Sequence, residues 1–120
     1  MENNLTSQII KAAYDVHNEL GFGFLEQVYQ SALKLVLDEM KLEAKREQKV
    51  EVLFRNHPIG HYFADIVVSD EVVIELKAVN ELHPKHSAQL INYLKAEKFK
   101  QGLLINFGSP KLEIKRLYSD

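Results

Sequence analysis

Three residues whose types and spacing could perform chemistry lie in one strongly apolar part of the chain. Nine residues separate Asp65 from Glu75, and Lys77 follows two positions later, among runs such as Ile66-Val67-Val68. Charged groups are costly to remove from water unless they are paired or bind a metal ion. Side chains two apart on a strand share a face, so Glu75 and Lys77 point the same way. Two carboxylates beside an ammonium group suit a hard cation with oxygen ligands and a positive charge next to the reacting atoms.

The elements that must position these residues follow from the apolar periodicity. Helical spacing predicts a first helix over about 5–20 and a second over about 25–40, with the glycines of Gly21-Phe22-Gly23 between them. In the second helix, the predicted apolar stripe is Leu25, Val28, Tyr29, Ala32, Leu33, Val36 and Met40. The short connection predicts that the two helices form a hairpin.

From about Gln48 the apolar pattern alternates, which predicts strands over about 48–54, 61–68 and 72–79 in an antiparallel meander. Turn residues at Asn56-His57-Pro58 and Ser69-Asp70-Glu71 separate them. Pro84 suits the start of a third helix to about Lys98, with Ala88, Leu90, Ile91 and Leu94 as its buried side. Strands over about 102–107 and 111–118 complete an α+β order ααβββαββ.

Composition limits the classes of function. The 120 residues predict one domain, 1–120, with 46% apolar and 27% charged residues, which are ordinary globular values. The chain has no cysteine, which excludes disulfides, a thiol nucleophile and a cysteine metal site. No signal peptide or membrane helix is predicted, and we expect a cytoplasmic protein. The net charge of −2 does not favour nucleic-acid binding, although basic residues cluster locally, as at Lys95, Lys98 and Lys100.

Several motifs in order resemble one known family. The Asp-x9-Glu-x-Lys pattern looks like the core of the PD-(D/E)XK nuclease superfamily, although Ala64 stands where the name has proline. Gln89-Leu-Ile-Asn-Tyr93 resembles the Q-x-x-x-Y helix motif of its recombination-exonuclease branch. Gly23-Phe-Leu-Glu26-Gln-Val-Tyr29 matches the signature of the small GxxExxY family assigned to that superfamily. The resemblance covers the chain from Gly21 to about Phe107.

The resemblance implies a mixed central sheet with helices on both faces. It also implies a nuclease, that is, a hydrolase that uses Mg²⁺ or Mn²⁺ to cleave phosphodiester bonds in DNA or, as the less favoured substrate, in RNA. The implied metal ligands are Glu26, Asp65, Glu75 and the backbone carbonyl of Leu76. Lys77 is the implied catalytic lysine, and it acts with Asp65 and Glu75. Gln89 and Tyr93 are implied to support the site, because their i, i+4 spacing places them on one helix face.

Each of these residues also has a structural interpretation. Glu75 and Lys77 could form a surface pair, worth about 0–1 kcal/mol. Glu26 suits a helix N-terminus through the helix dipole, and Tyr29 or Tyr93 could belong to the core. Zinc binding by His57 with His61, or by His83 with His86, is a weaker alternative, because zinc needs three or four convergent ligands.

Two alternatives for function stay open at this point. The main rival is a catalytically inactive module with the same fold that acts as a binding or regulatory partner. A metal-dependent hydrolase of another phosphate ester would keep the site and change the substrate. The sequence also leaves open whether the chain forms a homodimer.

Overall fold

The computed structural model describes residues 4–97 and 99–119, so Lys98 of the basic cluster lies outside the described residues. Three helices and five strands follow in the predicted order ααβββαββ. They are α1 (Asn4–Leu20), α2 (Glu26–Glu39), β1 (Ala44–Phe54), β2 (His57–Val68), β3 (Val72–Lys77), α3 (Pro84–Glu97), β4 (Gln101–Asn106) and β5 (Glu113–Tyr118). No helix in the described part of the chain is long and apolar enough to cross a membrane.

The five strands form one mixed sheet in the order β1-β2-β3-β4-β5. All neighbouring pairs are antiparallel except β3 and β4, which are parallel. A parallel pair needs a long crossover connection, and α3 provides it. The predicted meander followed by a helix and further strands in a mixed sheet is therefore confirmed.

The two faces of the sheet are covered by different helices. On one face, α1 and α2 pack on the alternate apolar side chains Ile66, Val68, Ile74 and Leu76. On the other face, Leu90 and Leu94 of α3 pack on Val67, Val73 and Leu104. Because side chains alternate along a strand, Glu75 and Lys77 of β3 share the α3 side with Val73. The predicted three-layer arrangement thus fixes the direction of the two charged side chains.

The β1–β2 hairpin is longer than the sequence predicts. Strand β1 begins at Ala44 and not at Gln48, and β2 begins at His57 and not at His61. The turn consists of Arg55 and Asn56, both with positive φ (50° and 66°), as a two-residue type I′ hairpin requires. The Asn-His-Pro prediction for this turn was wrong, because Pro58 and His57 pair with β1 in an exposed hairpin. Strand β3 ends at Lys77, two residues earlier than predicted.

The helix faces also differ in part from the predicted stripes. In α2, Tyr29, Leu33 and Leu37 are buried at i, i+4 spacing, whereas Leu25 and Val28 are exposed. Tyr29 packs into the core and so determines which face of α2 is buried. Leu25 is the N-cap residue and lies outside that face. In α3, Leu90 and Leu94 are buried as predicted and Ala88 is exposed.

A buried asparagine fixes the chain directly after Lys77. Asn106 is fully buried at the end of β4, opposite Lys77 in the parallel ladder. Its amide donates to the Val79 carbonyl (2.9 Å) and to Glu113 Oε1 (2.7 Å), and its Oδ1 accepts from the Val79 and Gly108 amides (3.0 Å each). All of its hydrogen-bonding groups are satisfied, so the connection from β3 to α3 is held rigidly.

Gly108 is expected to be essential to this junction. A Cβ at Gly108 would overlap the backbone of Ala78 and Val79, so Gly108→Ala must displace the segment that directly follows β3. We expect a loss of unfolding free energy of about 2 kcal/mol or more, measured by urea denaturation. The matched control is Gly60→Ala, since a Cβ at Gly60 meets no atom within 4 Å. Equal stability of the two variants would contradict this packing.

Candidate active site

The candidate site lies where β2 and β3 separate. These strands pair over three positions, from Val68–Val72 to Ile66–Ile74, and Asp65 and Glu75 follow the last pair. There the Leu76 amide donates to Asp65 Oδ2 (2.7 Å), and the Asp65 amide lies 3.4 Å from Glu75 Oε1. Side-chain oxygens thus replace the ladder bonds, and both carboxylates are held in the fork between the strands.

Lys77 lies beside the two carboxylates. Its positive charge lowers the pKa of both Asp65 and Glu75, which places the ammonium group within electrostatic reach of each. Within residues 4–97 and 99–119, Lys77 forms no ion pair. Its ammonium group is therefore available for a substrate group while it remains close to the acidic pair.

Both carboxyl groups have raised pKa values. Burial is the main cause of the pKa of about 8 at Glu75, and the charge of Asp65 raises it further. Burial also raises the pKa of Asp65, against the lowering effect of the Leu76 amide. The negative charge of Glu26 adds to the raised pKa at both residues. A site of this kind is short of positive charge, and a bound cation would relieve the repulsion.

Glu26 reaches the fork from the first turn of α2. It is exposed on one side and lines a small cavity of about 80 Å³ on the other. The residues that line this cavity, hereafter the acidic cavity, are Glu26, Gln27, Gln30, Glu47, Asp65 and Leu76. The structure therefore brings Glu26, Asp65 and Leu76 to one cavity, with Glu75 and Lys77 directly beside Asp65.

Gln30 is a site residue that the sequence interpretation missed. Its side chain is buried, and its Oε1 accepts from Arg46 Nε (3.0 Å) and an Arg46 terminal nitrogen (2.8 Å). Its Nε2 donates to Glu47 Oε2 (2.8 Å) and lies 3.4 Å from Asp65 Oδ1. Gln30 thus links α2, β1 and Asp65. The sequence feature that could have identified Gln30 is that a polar residue directly follows Tyr29, on the buried side of α2.

Glu47 is the second residue that was missed. It lies within β1 at φ 52°, a left-handed conformation that is uncommon for a residue other than glycine. The regular pairs Arg46–Ile66 and Gln48–Ala64 lie on either side of it, so Glu47 stands across from Asp65. This local irregularity directs its carboxylate to Gln30 and the acidic cavity. Nothing in the sequence around Glu47 indicates it.

Gln89 and Tyr93 have different surroundings. Gln89 is exposed on α3 and lines a groove together with Lys77. The Tyr93 ring stacks on Tyr62 of β2, with ring centroids 3.5 Å apart and planes 16° apart. Tyr93 lines neither this groove nor the acidic cavity, and its visible contact joins α3 to the hairpin. Gln89 therefore shares a groove with Lys77, whereas Tyr93 lies away from the groove and contacts the hairpin.

Tyr29 is part of the core with a polar tip. Its ring is fully buried and stacks on Phe107 with centroids 4.7 Å apart. Its hydroxyl donates to the Gly21 carbonyl (2.7 Å) and accepts from the Phe24 amide (3.2 Å). Through these two hydrogen bonds, Tyr29 fixes the loop between α1 and α2. This loop determines that α2 begins at Glu26.

The donor set fits a magnesium-type ion better than zinc. Among the described residues, no three His, Asp or Glu side chains are arranged as a shared metal site. Mg²⁺ is usually held by one or two carboxylates, with water completing its coordination. Two partly buried carboxylates with raised pKa values, Asp65 and Glu75, match that requirement. The histidines do not provide a further set: His86 Nδ1 accepts from the His83 backbone amide, and His61 stacks edge-on against Phe63.

Comparison with known proteins agrees with this geometry. Residues 3–117 match the family model of the PD-(D/E)XK nuclease superfamily. This chain belongs to the PD-(D/E)XK nuclease superfamily. Membership of this superfamily indicates a nuclease, and its members typically use divalent metal ions. No curated protein matches the chain in sequence.

A solved structure shares the fold of this PD-(D/E)XK protein. The crystal structure of SSO0001 is similar over 78% of this chain, with a TM-score of 0.59 and 19% sequence identity. The chain spans about half (49%) of the length of SSO0001. At this identity the likeness concerns the fold, which is the mixed sheet with helices on both faces.

The raised pKa of Glu75 predicts how stability of the metal-free protein changes with pH. Between about pH 4.5 and about pH 8, folded Glu75 keeps a proton that the unfolded chain releases. The unfolded state then binds fewer protons, so the free energy of unfolding falls as pH rises through this range. Glu75→Gln stays neutral and lacks this loss. We expect it to gain stability over the wild type, on the order of 2–4 kcal/mol by pH 8.

The measurement is urea denaturation at several pH values with EDTA present. Glu51→Gln, at an exposed position of β1, is the control and should follow the wild type. If the free energies of unfolding of Glu75→Gln and the wild type change with pH in the same way, burial does not raise the pKa of Glu75 as described.

Proposed function

We propose that this protein is a metal-dependent nuclease that hydrolyses phosphodiester bonds of DNA, with RNA as the less favoured substrate. The observation that carries the proposal is the fork between β2 and β3, where Asp65 and Glu75 lie side by side with Lys77. Superfamily membership supports the same chemistry. The carboxylates alone would repel a phosphodiester, so the reaction needs added positive charge at this point.

The residues that would hold a Mg²⁺ or Mn²⁺ ion are Asp65 and Glu75, with the Leu76 carbonyl as a further ligand. Glu26 lies nearby at the acidic cavity and would act on the ion through its negative charge, since no three acidic side chains of the described residues form one metal site. Such an ion, when bound, supplies positive charge to a phosphate oxygen and lowers the pKa of a water molecule. The partly buried position of the carboxylates strengthens both effects, because charge interactions are less screened there.

Lys77 is the proposed catalytic lysine. Hydrolysis forms a bond from a water oxygen to phosphorus and breaks the bond from phosphorus to the leaving oxygen, which takes a proton. The Lys77 ammonium orients the attacking water and stabilises the negative charge that grows on the phosphate oxygens. Its freedom from ion pairs within the described part of the chain supports this role.

The remaining residues position these groups. Gln30 holds Asp65 through a network that Arg46 and Glu47 complete. Gln89 would contact the substrate from α3, and Tyr93 would keep that helix against the hairpin by stacking on Tyr62. Gln30 thus acts on Asp65, whereas Gln89 and Tyr93 act on the α3 side of Lys77.

We also assign the chain to the GxxExxY group of the superfamily. The support is that each motif residue has a physical task in the same loop. Gly23 has φ 115°, which other residues rarely adopt, and Tyr29 closes the loop through its hydroxyl. Glu26 then begins α2 with its carboxylate at the acidic cavity.

Cleavage of nucleic acid tests the proposal directly. Single-stranded, duplex and branched DNA and RNA are incubated with Mg²⁺ or Mn²⁺ and the purified protein. We expect Lys77→Ala to lower the rate by about 10²–10³-fold, because it removes one preorganised charge from the transition state. Asp65→Asn should abolish detectable cleavage while it keeps an acceptor for the Leu76 amide, and EDTA should act like Asp65→Asn.

The control is Lys11→Ala, which removes an exposed positive charge from α1 and should cleave at the wild-type rate. If the wild type cleaves none of these substrates faster than Lys77→Ala, the proposal fails. The protein is then better described as an inactive nuclease-fold module with a binding role.

A further inference from the structure

A second concave surface lies on the α3 side of Lys77. This α3 groove has a volume of about 600 Å³, and its lining residues are Lys77, Lys85, His86, Ala88, Gln89 and Asn92. Every polar side chain among these six can donate hydrogen bonds, and none of them is acidic. Two lysines, several further donors and no carboxylate suit a ligand that carries hydrogen-bond acceptors and negative charge.

The two lysines of the groove are free to bind such a ligand. The ion pairs within the described ranges are Lys34–Asp38 and Lys45–Asp70, so neither Lys77 nor Lys85 has an acidic partner within 4.0 Å. Lys85 is exposed on the first turn of α3. An anion that binds to these two ammonium groups therefore breaks no existing salt bridge.

His86 presents a hydrogen-bond donor to the groove. The His83 amide donates to His86 Nδ1 (3.1 Å), so the hydrogen of the neutral ring lies on Nε2. Partial burial lowers the pKa of His86, and the positive charges of Lys77 and Lys85 lower it further. The neutral ring with a fixed tautomer therefore adds a donor to the groove without adding a charge.

The first turn of α3 has its own internal partners. The Lys85 amide donates to His83 Nδ1 (3.0 Å), and the His86 amide donates to the His83 carbonyl (2.9 Å). These backbone groups are therefore occupied, and the donors that face the groove come from side chains. Anion binding here would depend on Lys85 and His86 themselves, which point mutations can test.

The two sides of the site differ strongly in size and charge. The acidic cavity on the α2 side holds about 80 Å³ and is lined by three carboxylates, whereas the α3 groove holds about 600 Å³ and is lined by donors. A nucleotide does not fit the acidic cavity, and its phosphates would be repelled there. Of these two surfaces, the α3 groove is therefore the one that favours a polyanion.

We infer that the α3 groove binds the sugar-phosphate backbone of the nucleic-acid strand next to the scissile bond, with Lys85 and His86 as phosphate-contacting residues. This inference rests on the proposed nuclease function and adds the direction in which the strand leaves the site. Lys85 contributes charge, and His86 contributes a neutral donor through Nε2. Asn92 and Gln89 extend the same donor surface along the helix.

Binding can be measured without cleavage, which separates this inference from the proposed activity. A short fluorescein-labelled oligodeoxynucleotide, single-stranded or as a duplex, is titrated with protein in EDTA and followed by fluorescence polarisation. Lys85→Ala should raise Kd by about 5–10-fold and lower the slope of log K against log salt by about 1. Lys85→Arg keeps the charge and should restore both values.

His86→Asn tests the neutral donor. The asparagine oxygen can still accept from the His83 amide, but no group replaces Nε2 in the groove. We expect weaker binding with an unchanged salt slope, since no charge is lost. Lys95→Ala is the matched control, because Lys95 is exposed on the same helix and does not line the groove. It should bind like the wild type.

Two results would overturn the inference. If the protein binds DNA and Lys85→Ala matches Lys95→Ala in Kd and salt slope, the strand follows another surface, and the proposed nuclease function stands. If the wild type neither binds nor cleaves any nucleic acid, both the inference and the proposed function fail. Unchanged thermal unfolding of Lys85→Ala and His86→Asn would show that altered binding does not come from misfolding.

Discussion

The repulsion between Asp65 and Glu75 is the constraint on which the rest of the site depends. Burial in the fork is the main cause of the raised pKa of both acidic side chains, and the negative charge of Asp65 raises the pKa of Glu75 further. Such an arrangement persists only if the surrounding fold is stable enough to impose it. The two apolar cores on either side of the sheet provide that stability, and the ladder bonds given up at the fork are replaced by the carboxylates themselves.

Each element around the fork has a task that follows from this constraint. The parallel pairing of β3 with β4 fixes Lys77, and Asn106 holds the backbone that follows it. Helix α2 brings Glu26 and Gln30 from one face, and α3 brings donor side chains from the other. The result is a site with an acidic side and a basic side, and Lys77 lies at the boundary between them.

The fold could largely be predicted from sequence because its signals are local. Periodicity was sufficient for all eight elements, and Pro84 and the glycines near residue 22 marked helix ends. The hairpin was underestimated because Ala44 to Lys49 has charged residues where a strand usually alternates, and because Asn56-His57-Pro58 looks like a turn. Asp65, Glu75 and Lys77 could be selected because alternation along a strand places Glu75 and Lys77 on one face and because their order with the other motifs resembles the superfamily pattern. Glu-x-Lys alone is a weak signal.

Gln30, Arg46 and Glu47 could not be selected in this way. Their network exists only because Glu47 adopts a positive φ within a strand, and this depends on packing between α2 and β1, not on local sequence preference. The role of Asn106 could not be predicted for a similar reason. A single polar residue at the end of an apolar strand does not indicate which backbone groups it will hydrogen-bond. Long-range polar contacts of this kind require the three-dimensional structure.

The irregularity at Glu47 also lies in a strand at the edge of the sheet. Strand β1 is an edge strand of eleven residues, and edges of this length readily pair with strands of other molecules. The left-handed residue interrupts its regular hydrogen-bonding edge, and Lys45 and Lys49 place charges on either side of the interruption. One local distortion therefore directs a carboxylate to the acidic cavity and also interrupts the edge at which another strand could pair.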